Sequence, residues 1–101
     1  AVLQGSKQPY YQMTANIFNG VYQHLANDSL EKAFEFYNAG VIIGEEITNH
    51  GEFYKSIAYL GMAQIKAEYG QSEEATALYE LALKFAETDE VEAAAKAGLK
   101  R

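Results

Sequence analysis

Asp28-Ser29-Leu30-Glu31-Lys32-Ala33 and, 42 residues on, Gly70-Gln71-Ser72-Glu73-Glu74-Ala75 are built the same way. Each is a turn residue, two further residues, an acidic residue, a charged residue and an alanine. Both continue in step, with Tyr37 matching Tyr79, Gly40 matching Ala82 and Val41 matching Leu83. A helix pair that cannot bury its apolar face alone does so by stacking on a copy of itself, and a fixed internal period is the trace of that solution. Small residues at Ala33, Gly40, Ala75 and Ala82 predict close helix approach, with Tyr37 and Tyr79 filling the space between the helices.

Working outward, helical signals cover almost the whole chain. Pro9 suits a first helical turn, where its missing N–H would be unpaired anyway. Met13, Ile17, Val21 and Leu25 then recur every four residues, which predicts one buried helix face. Asp28 with Glu31 reads as a capping box for a second helix. That helix carries Leu30, Ala33, Phe34, Tyr37, Val41 and Ile47, with Phe36, Ala39, Ile42 and Ile43 on other faces, the pattern of a helix between neighbours. Asn49-His50-Gly51 ends it. A third helix presents Phe53, Ile57, Leu60, Gly61 and Ile65 or Tyr69. Ser72 is placed as the cap of a fourth, with Glu73 and Glu74 where the helix dipole favours negative charge. Thr88 is placed as the cap of a fifth, acidic at its start and basic at its end. No alternating apolar run or Asn-Gly or Asp-Gly hairpin points to a strand.

Composition narrows the chemistry. The chain has 101 residues, no cysteine, two histidines and a formal net charge of −6. Disulfides, thiolate metal sites and a cysteine nucleophile are out. The acidic balance argues against nucleic acid as a partner, because phosphate binding needs a basic surface. No apolar run reaches the roughly 18 to 20 residues of a membrane span. His24 and Asp28 stand four apart, a spacing open to metal ligands, but a helix end and a cap explain them more simply. His50 falls in a turn. Glu45-Glu46 and Glu73-Glu74 read as solvated helix faces, since adjacent helical residues point about 100° apart. Glycine-rich phosphate loops are absent. The expectation is a non-catalytic chain with no cofactor and no metal.

The run Met62-Ala63-Gln64-Ile65-Lys66-Ala67-Glu68-Tyr69-Gly70-Gln71-Ser72-Glu73-Glu74-Ala75, followed by Tyr79, Ala82 and Leu83, resembles a tetratricopeptide repeat. The first copy departs from that pattern where Gly20 stands for a large residue and Asp28 for the turn glycine. In the second, Lys66 replaces an aromatic and Glu87 a proline. The 42-residue spacing resembles the longer repeats of kinesin light chains and bacterial peptide-sensing regulators. The resemblance implies an all-α fold of antiparallel helix-turn-helix units in a solenoid of about five helices, with repeats at about 10–50 and 52–87 and a capping helix at 88–100. It also implies a cytoplasmic protein–protein interaction module that takes a peptide or helix in a concave groove. Groove positions carried over by register are Ala15, Phe18, Asn19 and Tyr22 in the first repeat, and Ile57, Leu60, Gln64 and Ala67 in the second. The basic residues that clamp a terminal carboxylate in some relatives are missing there. Two alternatives stand beside this: a self-associating helical scaffold, hence a homo-oligomer, and the sensory part of a peptide-responsive regulator.

Ala1-Val2-Leu3-Gln4-Gly5-Ser6 resembles a coronavirus main protease cleavage site followed by a cloning scar, and is set aside from fold reasoning. The domain is expected to begin at Lys7. Val2 and Leu3 are the apolar side chains that such a tail could insert into a groove.

Overall fold

The computed structural model describes residues 7–45 and 52–100. They form five helices: α1 (Lys7–Leu25), α2 (Leu30–Gly44), α3 (Glu52–Glu68), α4 (Ser72–Phe85) and α5 (Asp89–Leu99). The fold is all-α, with no strand among the described residues. The tail 1–6, Glu46, Ile47 and the turn Asn49-His50-Gly51 lie outside those residues. The expectations placed on them, including groove insertion by Val2 and Leu3, are not addressed by the described structure.

The two matched turns adopt matching backbones. Asp28 has φ +53° and Gly70 has φ +78°, the left-handed conformation in both. Ser29 (φ −96°, ψ 84°) and Gln71 (φ −91°, ψ 75°) follow with nearly the same dihedrals. After α3 the Gln71 N–H donates to the Lys66 carbonyl at 2.9 Å and the Gly70 N–H to the Ala67 carbonyl at 3.0 Å, a Schellman closure. After α1 the loop is one residue wider, with the Ser29 N–H donating to the Gln23 carbonyl at 2.8 Å.

This geometry corrects two of the three expected caps. The residue ahead of α2 is Ser29, not Asp28, and the residue ahead of α4 is Gln71, not Ser72; neither makes a side-chain cap bond. A side chain reaches the N3 amide only from an extended backbone, and a ψ near 80° aims it elsewhere. Thr88, at φ −127° and ψ 155°, has that backbone and accepts from the Val91 N–H at 3.3 Å.

α2 packs on α1 and α3, α4 packs on α3 and α5, and the odd-numbered helices touch in sequence, α1 with α3 and α3 with α5. Among the described residues α2 and α4 do not meet. The core is narrow and built on small residues: Ala33, Ala58, Ala63, Ala82 and Ala95 are fully enclosed, with Met13, Ile17 and Ile65 as its large members. A Cβ on Gly40 would stand 2.5 Å from Ile17 Cγ1 and 3.2 Å from the Met13 carbonyl, so α1 and α2 meet backbone to side chain there. The Tyr37 ring lies between the backbones of α1 at Gly20 and α3 at Gly61; Cβ atoms at either glycine would collide with it. Tyr79 meets α5 in the same way at Gly98.

The α1 face is also corrected. Met13 and Ile17 are buried and Val21 is half-buried, but Leu25 is 77% exposed. Side chains four apart precess by about 40° at 3.6 residues per turn, so three steps carry the row off the core. The buried row instead steps through Met13, Ile17 and Gly20 to the partly buried His24. Lys66, where the resemblance implies an aromatic, is half-buried: its ammonium lies 4.9 Å from the Phe34 ring centroid and 3.1 Å from Glu74 Oε2, joining α2, α3 and α4.

Candidate functional site

Because successive odd helices touch, their outward faces form one surface, and a cleft of about 550 Å³ opens in it. Its walls are His24 from α1, Gln64, Ala67 and Glu68 from α3, and Ala94, Ala97 and Gly98 from α5, with Tyr79 of α4 contributing from behind. The α5 wall is low because the sequence there is mostly alanine and glycine. The floor exists because Gly98 lets the Tyr79 ring come against the α5 backbone.

His24 organises the α1 edge. Its side chain is 9% exposed, Nδ1 lies 3.3 Å from the Tyr37 hydroxyl, and Nε2 lies 4.0 Å from Glu68 Oε2. The tautomer that satisfies both contacts carries its proton on Nε2 and accepts the Tyr37 O–H at Nδ1. The two rings also meet edge to face, with centroids 6.0 Å apart. Burial pushes the Tyr37 hydroxyl up to about 12, so it stays protonated and able to donate through the neutral range.

Of the expected groove residues, Gln64 and Ala67 line the cleft. Ile57 and Leu60 are half-buried against the core, outside its lining. Phe18, Asn19 and Tyr22 are exposed on α1, and Ala15 with them, also outside the lining. Phe18 touches Tyr54 of α3 edge to face at 5.9 Å, and Tyr10 meets the same ring at 5.8 Å. Sequence reasoning missed His24, Glu68 and the α5 wall as groove elements. The step of 37 residues from Gly61 to Gly98, each set against a repeat tyrosine, places Ala94 and Ala97 level with Ile57 and Leu60 and was the available signal.

Among the described residues, no three or more His, Asp or Glu side chains converge as a metal site would require. His24 has Tyr37 and Glu68 as neighbours, and Asp28 serves the turn. Glu73 and Glu74 are exposed in the first turn of α4, with Glu74 paired to Lys66. No described helix is long and apolar enough to cross a membrane. Comparison with protein-family models, curated proteins and solved structures finds no match to this chain.

Proposed function

We propose that this chain is a tetratricopeptide-like interaction module that holds a short peptide or helix of a protein partner in the cleft between α1, α3 and α5. The observation that carries the reading is the cleft itself. It has an apolar wall of Ala94, Ala97 and Gly98 facing a polar wall of His24, Gln64 and Glu68. A peptide laid between them has an alanine-lined slot for side chains on one side. On the other, the Gln64 amide can donate or accept and the Glu68 carboxylate can accept from its backbone, the mixture of apolar burial and few polar groups that fixes a ligand's orientation. The solenoid reading draws support from three matched features: left-handed turns at Asp28 and Gly70, tyrosines against glycine backbones at Tyr37 and Tyr79, and even helices that each bridge two odd ones. No step of this function needs a cofactor.

The test is selection from a random peptide display library on the intact chain, followed by affinity measurement of the enriched peptides. Ala97 is exposed, so Ala97→Trp fills the cleft from its rim without entering the core. The expected result is a loss of at least tenfold in affinity for Ala97→Trp and a smaller loss for Gln64→Ala, with unchanged thermal melts. Peptides that bind both variants like the parent would place recognition elsewhere.

A further inference from the structure

The exposed apolar side chains of α1 follow a rule. Tyr11, Ala15, Phe18, Tyr22 and Leu25 stand four, three, four and three residues apart, the a/d spacing of a coiled-coil seam. Tyr11, Phe18 and Tyr22 are each more than half exposed. The seam runs about 21 Å at 1.5 Å per residue. Single exposed hydrophobics are ordinary, whereas a contiguous line of three rings and a leucine marks an interaction surface. α2 packs on the other side of this helix, against Met13, Ile17 and Gly20, while α3 meets the seam at Phe18 through the Tyr54 ring.

We propose that this seam pairs with the same seam of a second copy, antiparallel, about a two-fold axis beside Phe18. Charge selects the second copy. The chain carries a net −6, yet α1 has no Asp or Glu at all, with Lys7 near one end and His24 near the other. Other helices expose Glu31 and Glu35, or Glu73 and Glu80, or Glu90 and Glu92. Of the five helices, α1 is therefore the one on which two acidic chains meet without setting carboxylates against each other. Shape agrees with charge. An isologous contact requires that if i meets j, j meets i, and an antiparallel pairing centred on Phe18 meets that condition. It sets Phe18 on its own counterpart, Tyr11 on Leu25, and the large Tyr22 on the small Ala15. Aromatic side chains bury about 150–250 Å² each, so half-exposed rings with Leu25 supply on the order of 400–500 Å² per copy. Doubled, that is close to the roughly 1,000 Å² lower bound for a specific interface, which makes the dimer weak and concentration-dependent. The seam does not include the cleft residues, so the pairing stands or falls separately from peptide binding.

Sedimentation velocity of the intact chain over a concentration series reads the association directly, with the mass expected to rise from 11.2 kDa toward twice that value. Phe18→Glu sets two carboxylates face to face on the axis and is expected to weaken dimerisation at least tenfold. Because Phe18 also touches Tyr54, Leu25→Glu, at a residue about three-quarters exposed, is the companion variant, with the same direction and an unchanged melt. The chain has no cysteine, so single spin labels at Asn19→Cys or Gln12→Cys report the arrangement. Antiparallel pairing brings the Asn19 labels together and holds the Gln12 labels farther apart, by an additional axial offset of about 15 Å. A monomer at every concentration, a dimer indifferent to both glutamates, or equal label separations would each overturn the proposal.

Discussion

Tyr37 and Tyr79 occupy the same register 42 residues apart, and their surroundings show what a repeat does and does not repeat. The Tyr37 ring is pressed between glycine backbones on two helices, Gly20 and Gly61, and its hydroxyl bonds His24. The Tyr79 ring meets a glycine backbone only at Gly98, and its edge lines the cleft. The position matching Gly20 is Met62, which is buried and fills space with a flexible thioether. One junction is therefore closed on every side, while the other opens onto the surface proposed to bind a partner. The same fold element serves as core in one copy and as the floor of a cleft in the next.

The largest test of that contrast is a methyl group. An exposed helix-interior Gly→Ala change gains roughly 1 kcal/mol, but at Gly61 the new Cβ would sit in the Tyr37 ring. With the ring blocked by Gly20 on its other side, the overpacking falls at the upper end of the usual range of about 1–3 kcal/mol and sets the sign. Gly61→Ala is expected to lose about 2 kcal/mol net, lowering Tm by on the order of 10 °C for a domain of this size. Gly98→Ala meets the Tyr79 ring just as closely, but that ring can swing toward the cleft. Its expected loss is about half as large. Equal melting shifts for the two variants would remove the distinction between a closed and an open junction.

How much of this was legible follows from the kind of signal each feature leaves. Tyr37, Tyr79, Ala33, Ala75 and Ala82 are large or small residues at fixed intervals, so the register and the core positions are readable from spacing alone, and all five are buried. The end of the α1 face was misread because a four-residue step ignores the 40° precession that brings Leu25 into solvent. The caps at Asp28 and Ser72 were misread because the residue types fit while their places in the backbone do not: Asp28 is itself the left-handed turn residue, and Ser72 already lies inside α4. The α5 wall left one trace, the 37-residue step from Gly61 to Gly98. Ala94 and Ala97 define the cleft by the volume they lack, and composition carries no mark for that.

The hydroxyls extend the comparison at a smaller scale. Removing the Tyr37 oxygen leaves His24 Nδ1 without its partner in a side chain that is mostly buried, so Tyr37→Phe is expected to cost about 1 kcal/mol. The Tyr79 hydroxyl makes no protein hydrogen bond among the described residues, and Tyr79→Phe should fall within about 0.5 kcal/mol of the parent. Alkaline pH gives an independent reading. Burial raises Tyr37 from 10.0 to about 12, so the folded chain holds that proton more tightly than the unfolded one. The stability so gained is fully present below pH 10 and is lost as pH rises from 10 through about 12. Tyr59, raised by burial and then by the charge of Glu45, and Tyr10, raised chiefly by the neighbouring Tyr54, add in the same direction. Urea midpoints at pH 8 and pH 11 should therefore differ in the parent and differ less in Tyr37→Phe; an unchanged difference would show that Tyr37 titrates without penalty.

The smallest effect concerns the turns. Gly70 has φ +78° and open space where a Cβ would project, so Gly70→Ala incurs only the left-handed backbone strain, about 1 kcal/mol. Asp28 has φ +53° and already bears part of that strain, reduced because a short polar side chain tolerates this region. Asp28→Gly removes it but loosens the unfolded chain, so the expected gain is only a few tenths of a kcal/mol, with the sign opposite to Gly70→Ala. The two turns thus share a left-handed residue that bears a side chain in one and none in the other, on loops that differ in width by one residue. Denaturant midpoints of the two single variants and of the double variant decide the matter. The sites lie in separate turns and share no partner, so their effects should add to within about 0.5 kcal/mol. If Asp28→Gly destabilises instead, the aspartate makes a contribution to the first turn that its backbone conformation does not explain, and the two turns are equivalent in shape alone.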